Sequence, residues 1–431
     1  MLTAFGRAFK TPDLRRKLLF TLAVIGLYRI GSVVPGPGVS YVAIQNCLEQ
    51  VEDNSLYGLV NLFSGGALLQ LSVFALGIMP YITSSIIVQL LIVVIPRLET
   101  LKQEGQSGQA KLTQYTRYLT VALAVLQSTG IVALARSGRL FPQCTQEIIP
   151  DQGIVRILVL VVTLTAGTAV VMWLGELITD RGVGNGMSVL IFTSIISSVP
   201  SGALRVWQQP RGPFILVAIG VLALVVITLV VFVEQAQRRI PVQYAKRMIG
   251  RRMYGGTSTY IPLKVNQAGV IPVIFASSLL YLPQLLSQIF PDNRSVTGFI
   301  NRHLVDPGDP VYLSLYFALI VFFTYFYVAI TFNPVEVSDN MKKYGGFVPG
   351  IRPGRATAEY LDYILSRITS FGALYLGLVA VLPYFLFTFA TDSSQFPFGG
   401  TAVLIVVGVG LETVKQVESQ LMLRNYEGFL R

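Results

Sequence analysis

The 36 residues from Gly58 to Val93 carry no charged side chain, too many for one helix through a hydrocarbon core that takes about 20 helical residues. The run divides at Gly65-Gly66, a pair free to adopt left-handed backbone. After it, Leu71 to Ile95 is long enough to cross a bilayer; before it lies the shorter apolar piece LYGLVNLFSGGALLQL. An uncharged segment that dips back and is then followed by a span is a re-entrant element. Such backbone survives at membrane depth only where protein or a water-filled cavity surrounds it. The rest of the chain is therefore expected to build a cavity around residues 58–70.

At 53% hydrophobic and 13% charged over 431 residues, with a mean hydropathy of +0.62, the composition is that of a polytopic membrane protein and excludes a large soluble domain. Apolar runs predict ten spans: Leu18–Val34, Leu71–Ile95, Tyr118–Ala135, Ile157–Gly175, Met187–Leu204, Phe214–Val233, Ala268–Leu286, Val311–Phe332, Ile368–Ala390 and Ala402–Leu423, the last interrupted by Glu412, Lys415 and Glu418. Most of the 33 Lys and Arg fall in the terminal segments and in the loops between spans 2 and 3, 4 and 5, 6 and 7, and 8 and 9. By the positive-inside rule that side is cytoplasmic, so both termini are expected inside and the span count even. The first apolar run follows basic residues without a small-residue cleavage site, which predicts a retained span. Cys47 and Cys144 fall in outward loops. A disulfide is open to them there, but the expectation is two free thiols with no assigned role.

In the basic stretch TPDLRRK, Thr11 can cap a short surface helix beginning at Pro12. Arg29 lies inside span 1, six residues before Pro35, about 9 Å of helix rise. An interface anchor or a partner-facing pair is expected there before a substrate site. Five spans before residue 205 and five after it predict two halves in opposite orientation, and inverted repeats mark their site by Gly/Pro-interrupted segments in corresponding positions. Span 2 carries Gly77-Ile78-Met79-Pro80, and span 7, its counterpart, carries Gly269-Val270-Ile271-Pro272. In each an isoleucine stands five residues after the glycine, Ile82 and Ile274. The predicted fold class is an all-α polytopic membrane protein: ten transmembrane helices in two inverted five-helix halves, residues 1–205 and 206–431, around a central pore.

Two loops on the basic side are too long for simple connectors. The first, about residues 234–267, sets Arg238, Arg239, Lys246, Arg247, Arg251, Arg252 and Lys264 against Glu234 and interleaves Tyr244 and Tyr254. That surface suits phosphate backbones or an acidic protein, although anionic lipid would favour the same charges. The second, about residues 333–367, contains KKYGGFVPGIRPG, whose glycines and prolines hold Arg352 out at a turn.

Catalytic chemistry is missing. An embedded enzyme needs a nucleophile with a base, paired carboxylates or metal ligands. The only histidine, His303, lies in an outward loop, Glu176 and Asp180 end span 4, and RGVGNG at 181–186 reads as a tight inter-helix turn. A secondary solute transporter needs polar or charged ligands at the helix breaks, where isoleucines stand, and an intramembrane protease or insertase needs a catalytic constellation. Branched apolar side chains converging on a neck instead exclude water and ions by dewetting, while yielding to an object that pushes between them.

The pieces NLFSGG (61–66), FALGIMPYIT (74–83), QYTRY (114–118), WLGE (173–176), ITDRGVGNG (178–186), QRRIPVQYAKR (237–247), GRRMYGG (250–256), AGVIP (268–272), GGFVPGIRPG (345–354) and LIVVGV (404–409) stand in order across nearly the whole chain. With them the sequence closely resembles the SecY family, the central subunits of bacterial protein-conducting channels. The resemblance implies roles. Ile78, Ile82, Ile191, Ile274 and Ile405 match the isoleucine pore ring, with Met187 where relatives often carry another aliphatic residue. Asn61, Leu62, Phe63, Ser64, Gly65 and Gly66 match the plug, and Gln89, Gln127 and Asn266 match polar positions of a lateral gate where spans 2 and 3 part from spans 7 and 8. Arg238, Arg239, Lys246, Arg247, Arg251, Arg252 and Arg352 match loop residues that engage the ribosome, including its RNA, or the motor ATPase SecA. Also implied are SecE and SecG subunits, signal sequences and nascent polypeptides as clients, surrounding lipids, no cofactor, and multi-pass residence in the bacterial cytoplasmic (inner) membrane. The implied activity is passive conduction of unfolded polypeptide across, or laterally into, that membrane, driven by a partner.

Overall fold

The computed structural model describes residues 11–50, 64–138, 153–208, 212–244, 258–289, 309–390 and 400–427, with Phe9 and short pieces at 146, 148–150, 247–249, 252–254, 298–300 and 303–304. The described chain is chiefly helical: α1 (Pro12–Val33), α2 (Tyr41–Gln50), α3 (Met79–Val94), α4 (Pro96–Gln103), α5 (Gln106–Arg136), α6 (Ile154–Arg181), α7 (Gly186–Gln208), α8 (Gly212–Gln235), α9 (Ile271–Ile289), α10 (Pro310–Thr331), α11 (Pro334–Lys343), α12 (Arg355–Ala390) and α13 (Gly400–Glu427). Each of the ten expected stretches carries a helix. By length and composition five are long and apolar enough to cross a membrane, or six if the bent pair α3 and α4 is one span.

Proline sets several helix starts. Pro12, Pro80, Pro310 and Pro334 occupy first turns, where no intrahelical partner for the missing N–H is lost. Asp309 and Asn333 cap α10 and α11 by accepting from Val311 N at 3.0 Å and Val335 N at 3.1 Å. The basic entry and span 1 are one continuous helix, and Thr11 at its N-cap makes no side-chain cap bond.

Span 2 starts later than hydropathy indicates. Residues 65–78 run chiefly as turns, and helix begins at Met79. Leu71 takes φ +45° and Gly77 φ +54°, left-handed values that a right-handed helix does not hold. This run folds back on the end of α1: Gly36 N donates to Leu71 O and Val73 N to Val34 O, each at 2.9 Å. The non-helical element therefore extends to Ile78. At the far end, α4 turns off α3 by 101° at Pro96.

The largest apolar core joins α1, α3, α6 to α10, α12 and α13. A second, including Ile44, Leu68, Leu71, Ile148 and Leu160, packs α2 and the folded-back turns against α5 and α6. Here the free-thiol expectation fails: Cys47 is fully buried and disulfide-bonded. The sequence has one other cysteine, Cys144, which lies outside the described residues. Neighbouring residues explain the encounter, since Ser40 N donates to Ile148 O at 3.0 Å and Asn46 Nδ2 to Gln146 Oε1 at 3.3 Å.

The all-α expectation also needs correction. Strands β1 (Gln237–Tyr244), β2 (Arg247–Ile249), β3 (Arg252–Tyr254), β4 (Ser258–Lys264) and β5 (Gly346–Phe347) form two small sheets, a β2–β3 pair and an antiparallel β4-β1-β5 sheet. In β1, Ile240 and Val242 are buried while Arg239, Pro241 and Gln243 point outward, the alternation of a half-buried strand. Gln243 pairs with Phe347 and Tyr244 with Gly346. The two basic loops thus share one sheet and one small core of Ile240, Val242, Leu263, Met341, Val348, Leu361 and Ile364.

Candidate functional site

Two matching helix starts shape the centre. In each, a left-handed glycine, Gly77 at φ +54° or Gly269 at φ +62°, ends the incoming segment, and the proline three residues on enters the first turn of α3 or α9. The hydrogen bonds match too: Ile82 N donates to Ile78 O at 3.1 Å, and Ile274 N to Val270 O at 3.3 Å. Identical local chemistry places Ile82 and Ile274 one turn into their helices.

Ile78, Ile82, Ile191, Ile274 and Ile405 lie in the same apolar core, none more than 7% exposed. They come from the start of α3 and from α3, α7, α9 and α13, so both sides of residue 205 contribute. Met187 stays at the margin, half-buried, its Sδ where a Cβ on Gly175 of α6 would stand.

Of the expected plug residues, Asn61, Leu62 and Phe63 lie outside the described residues. Ser64 is fully buried, and its Oγ accepts from Leu68 N at 3.2 Å. Gly65, at φ +66°, is wedged against α7: a Cβ there would stand 2.9 Å from Ser197 Oγ and 3.2 Å from Ser194 Cα. Arg29 is half-buried and has partners within the chain. Its Nη1 donates to Gly65 O at 3.2 Å and to Ser197 Oγ at 2.9 Å. Beside it, Tyr28 stacks on Phe74 at 6.0 Å between centroids, and its hydroxyl lies 2.7 Å from Ser194 Oγ. The sequence signal was a charge inside a span, which calls for a named partner, and a pair of serines, 194 and 197, on one face of span 5.

Helix α9 packs against α3, α5, α10 and α12. Gln89 is half-buried on α3, and Gln127 is buried on α5. Asn266, 3% exposed, precedes α9. Its Nδ2 donates to Glu234 Oε1 on α8 and to Gly269 O, and Gly372 of α12 closes on its backbone. Lys102 Nζ of α4 donates to Ile330 O at the end of α10 at 3.2 Å. Glu176, ending span 4, is held by both arms of Arg117 at 2.8 Å, a bidentate pair joining α5 to α6.

Arg238 and Arg239 are exposed on β1, with the Arg239 guanidinium 4.8 Å over the Tyr260 ring. Arg247 and Arg252 belong to the β2–β3 pair, whereas Lys246 and Arg251 lie outside the described residues. Arg352 is exposed in the turn before α12, where Gly350 and Gly354 take φ +83° and +104°. Thr357 Oγ1 donates to Arg352 O at 2.9 Å and Ser338 Oγ to Gly354 O at 2.7 Å, so the turn is fastened at both ends. The β1–β5 pairing ties the loop that carries this turn to the strand that carries Arg238 and Arg239.

A family model for SecY matches residues 72–414. Among curated relatives, the protein translocase subunit SecY of Streptomyces scabiei is 66% identical, and that of Mycobacterium bovis 59%, each over all of both chains. Among solved structures, one described as a protein conducting channel aligns with a TM-score of 0.63 at 18% identity over 94% of this chain and 91% of its own. Sec61 in a canine ribosome-channel complex from the endoplasmic reticulum aligns with a TM-score of 0.60 at 18% identity over the same shares. At that identity the likeness concerns the fold.

Proposed function

The chain belongs to the SecY family, and from that premise we propose that it forms the pore through which unfolded secretory polypeptides cross the bacterial cytoplasmic membrane and membrane segments leave sideways. It is a multi-pass translocase subunit and not an enzyme. In this reading ten helices span the membrane as two inverted halves, residues 1–205 and 206–431, with both termini in the cytoplasm.

The presence of Ile78, Ile82, Ile191, Ile274 and Ile405, from four helices on both sides of residue 205, in one buried apolar core carries the proposal. A neck of that kind holds back ions by dewetting and parts when a chain wedges between its walls. Residues 61–66 plug its outer side; Gln89, Gln127 and Asn266 line the gate by which α3 and α5 separate from α9 and α10. The contacts of α9 with α3 and α5 support the gate, as does the bonding of Asn266 to Gly269 just before α9. SecE and SecG complete the channel. Energy comes from SecA or the ribosome, seated on the surface that presents Arg238, Arg239, Lys246, Arg247, Arg251, Arg252 and Arg352. Basic side chains beside aromatic rings suit ribosomal RNA or an acidic protein face, and anionic lipids border the rest.

A photoreactive amino acid in place of Ile82 tests the pore directly and leaves the Cys47 disulfide intact. Adducts with a stalled secretory chain that depend on its signal sequence are expected. Absence of adducts from positions 82, 274 and 405 alike would reduce the ring to ordinary packing.

A further inference from the structure

We propose that Arg29 is the positioning residue that locks the plug shut, an inference that rests on the plug reading of residues 61–66. Its side chain gathers three segments: it leaves α1, reaches the carbonyl of Gly65 at 3.2 Å and reaches Ser197 Oγ on α7 at 2.9 Å. Among the described residues no carboxylate pairs with it. A half-buried guanidinium at this depth requires acceptors, and the two it has belong to the plug hinge and to a pore-lining helix.

The donor order around it is self-consistent. Ser197 Oγ spends its own proton on Ser194 O at 2.7 Å, leaving its lone pairs for Arg29. Ser194 Oγ donates to Leu190 O at 3.0 Å and so accepts from Tyr28 OH. Ser194 and Ser197 of α7 are thus oriented toward α1 as acceptors, one for Tyr28 and one for Arg29. Gly65 completes the arrangement because a side chain there would strain the left-handed backbone at φ +66° and stand 3.1 Å from Arg29 Nη1. Only glycine lets the carbonyl come this close.

The bond is strong enough to hold and weak enough to release. A charge-assisted hydrogen bond biases an equilibrium roughly tenfold to a hundredfold. When the plug swings out, the Gly65 carbonyl leaves, the funnel fills with water, and water takes its place on the guanidinium. The lock opens without stranding a charge.

The test is the resting ion conductance of assembled channels in planar bilayers, without ATPase, ribosome or secretory chain. Arg29→Met is expected to raise the resting open fraction roughly tenfold to a hundredfold and to let a polypeptide with a defective signal sequence cross. Arg29→Lys, which keeps the charge and loses the fork, should give a smaller rise. Ser197→Ala should do the same, and combined with Arg29→Met should add nothing. Unchanged resting conductance in Arg29→Met overturns the proposal; if that variant does not assemble, unchanged conductance in both Arg29→Lys and Ser197→Ala does so. Deleting residues 61–64 separates the two ideas. A leak from the deletion with none from the Arg29 variants defeats the lock alone, whereas no leak from the deletion defeats the plug reading beneath it.

Discussion

Ile82→Ala tests whether the central core is a gate or merely packing. Ile82 is 7% exposed one turn into α3, in the core shared with Ile191, Ile274 and Ile405. Truncating a buried isoleucine to alanine costs about 2–5 kcal/mol. In the proposed pore, part of that packing lies within residues 1–205 and would persist on opening, and the rest crosses to α9 and α13 and would be lost. If about half crosses, the closed state loses roughly 1–2.5 kcal/mol relative to the open one, and the resting open fraction rises roughly fivefold to sixtyfold. A wider, less branched neck also dewets less readily, which acts in the same direction. The assay pairs bilayer conductance at rest with thermal unfolding of the same purified channel. Conductance should rise and the unfolding temperature fall. A lowered unfolding temperature with unchanged conductance would refute the reasoning, because the lost contacts would then be present in both states. Leu160→Ala, at 1% exposure in the second core, is the matched control and should destabilise without a leak.

Arg352→Glu should abolish ATPase-driven transport while altering stability by no more than about 0.5 kcal/mol, as for other exposed positions; normal transport would remove Arg352 from the docking surface. Cys47→Ser should cost about 2–4 kcal/mol, and reductant should lower the unfolding temperature of the unaltered chain to match, so equal temperatures with and without reductant would contradict the bond. Gly167→Ala should destabilise by about 1–3 kcal/mol through overpacking, since its Cβ would fall 1.9 Å from Val73 O. Gly26→Ala, with nothing within 4 Å, should be neutral or slightly stabilising, and similar thermal midpoints for the two would rule out the clash.

The places where sequence reasoning held and failed divide along a physical line. The ten apolar stretches and the paired G-x-x-P helix starts were legible because each depends on residues a few positions apart: hydropathy over one helix length, a glycine that can turn left-handed, a proline that fits a first turn. Span 2 departs from the expectation because Leu71–Ile78 is as apolar as a helix, yet Leu71 O, Val73 N and Phe74 N bond to Gly36, Val34 and Gly31 at the end of α1, and Leu71 and Gly77 take left-handed backbone. The strands are not legible because the alternation of Ile240 and Val242 is short and follows two exposed arginines, Arg238 and Arg239. Cys47 departs from the expectation because only the folded chain brings α2 beside Gln146, Ile148 and Ile149.

The sequence by itself therefore determined a polytopic helical chain, its charge asymmetry, its two matching helix breaks and, through long ordered motifs, its family. Tertiary structure decided which isoleucines share one apolar core, that the two basic loops form one sheet, that Asn266 donates to Glu234, and that Arg29 holds Gly65. These are partnerships across tens to hundreds of residues. Hydropathy and turn chemistry are properties of neighbours along the chain, whereas a buried donor is satisfied by whatever acceptor the fold delivers, and nothing local in a sequence names it.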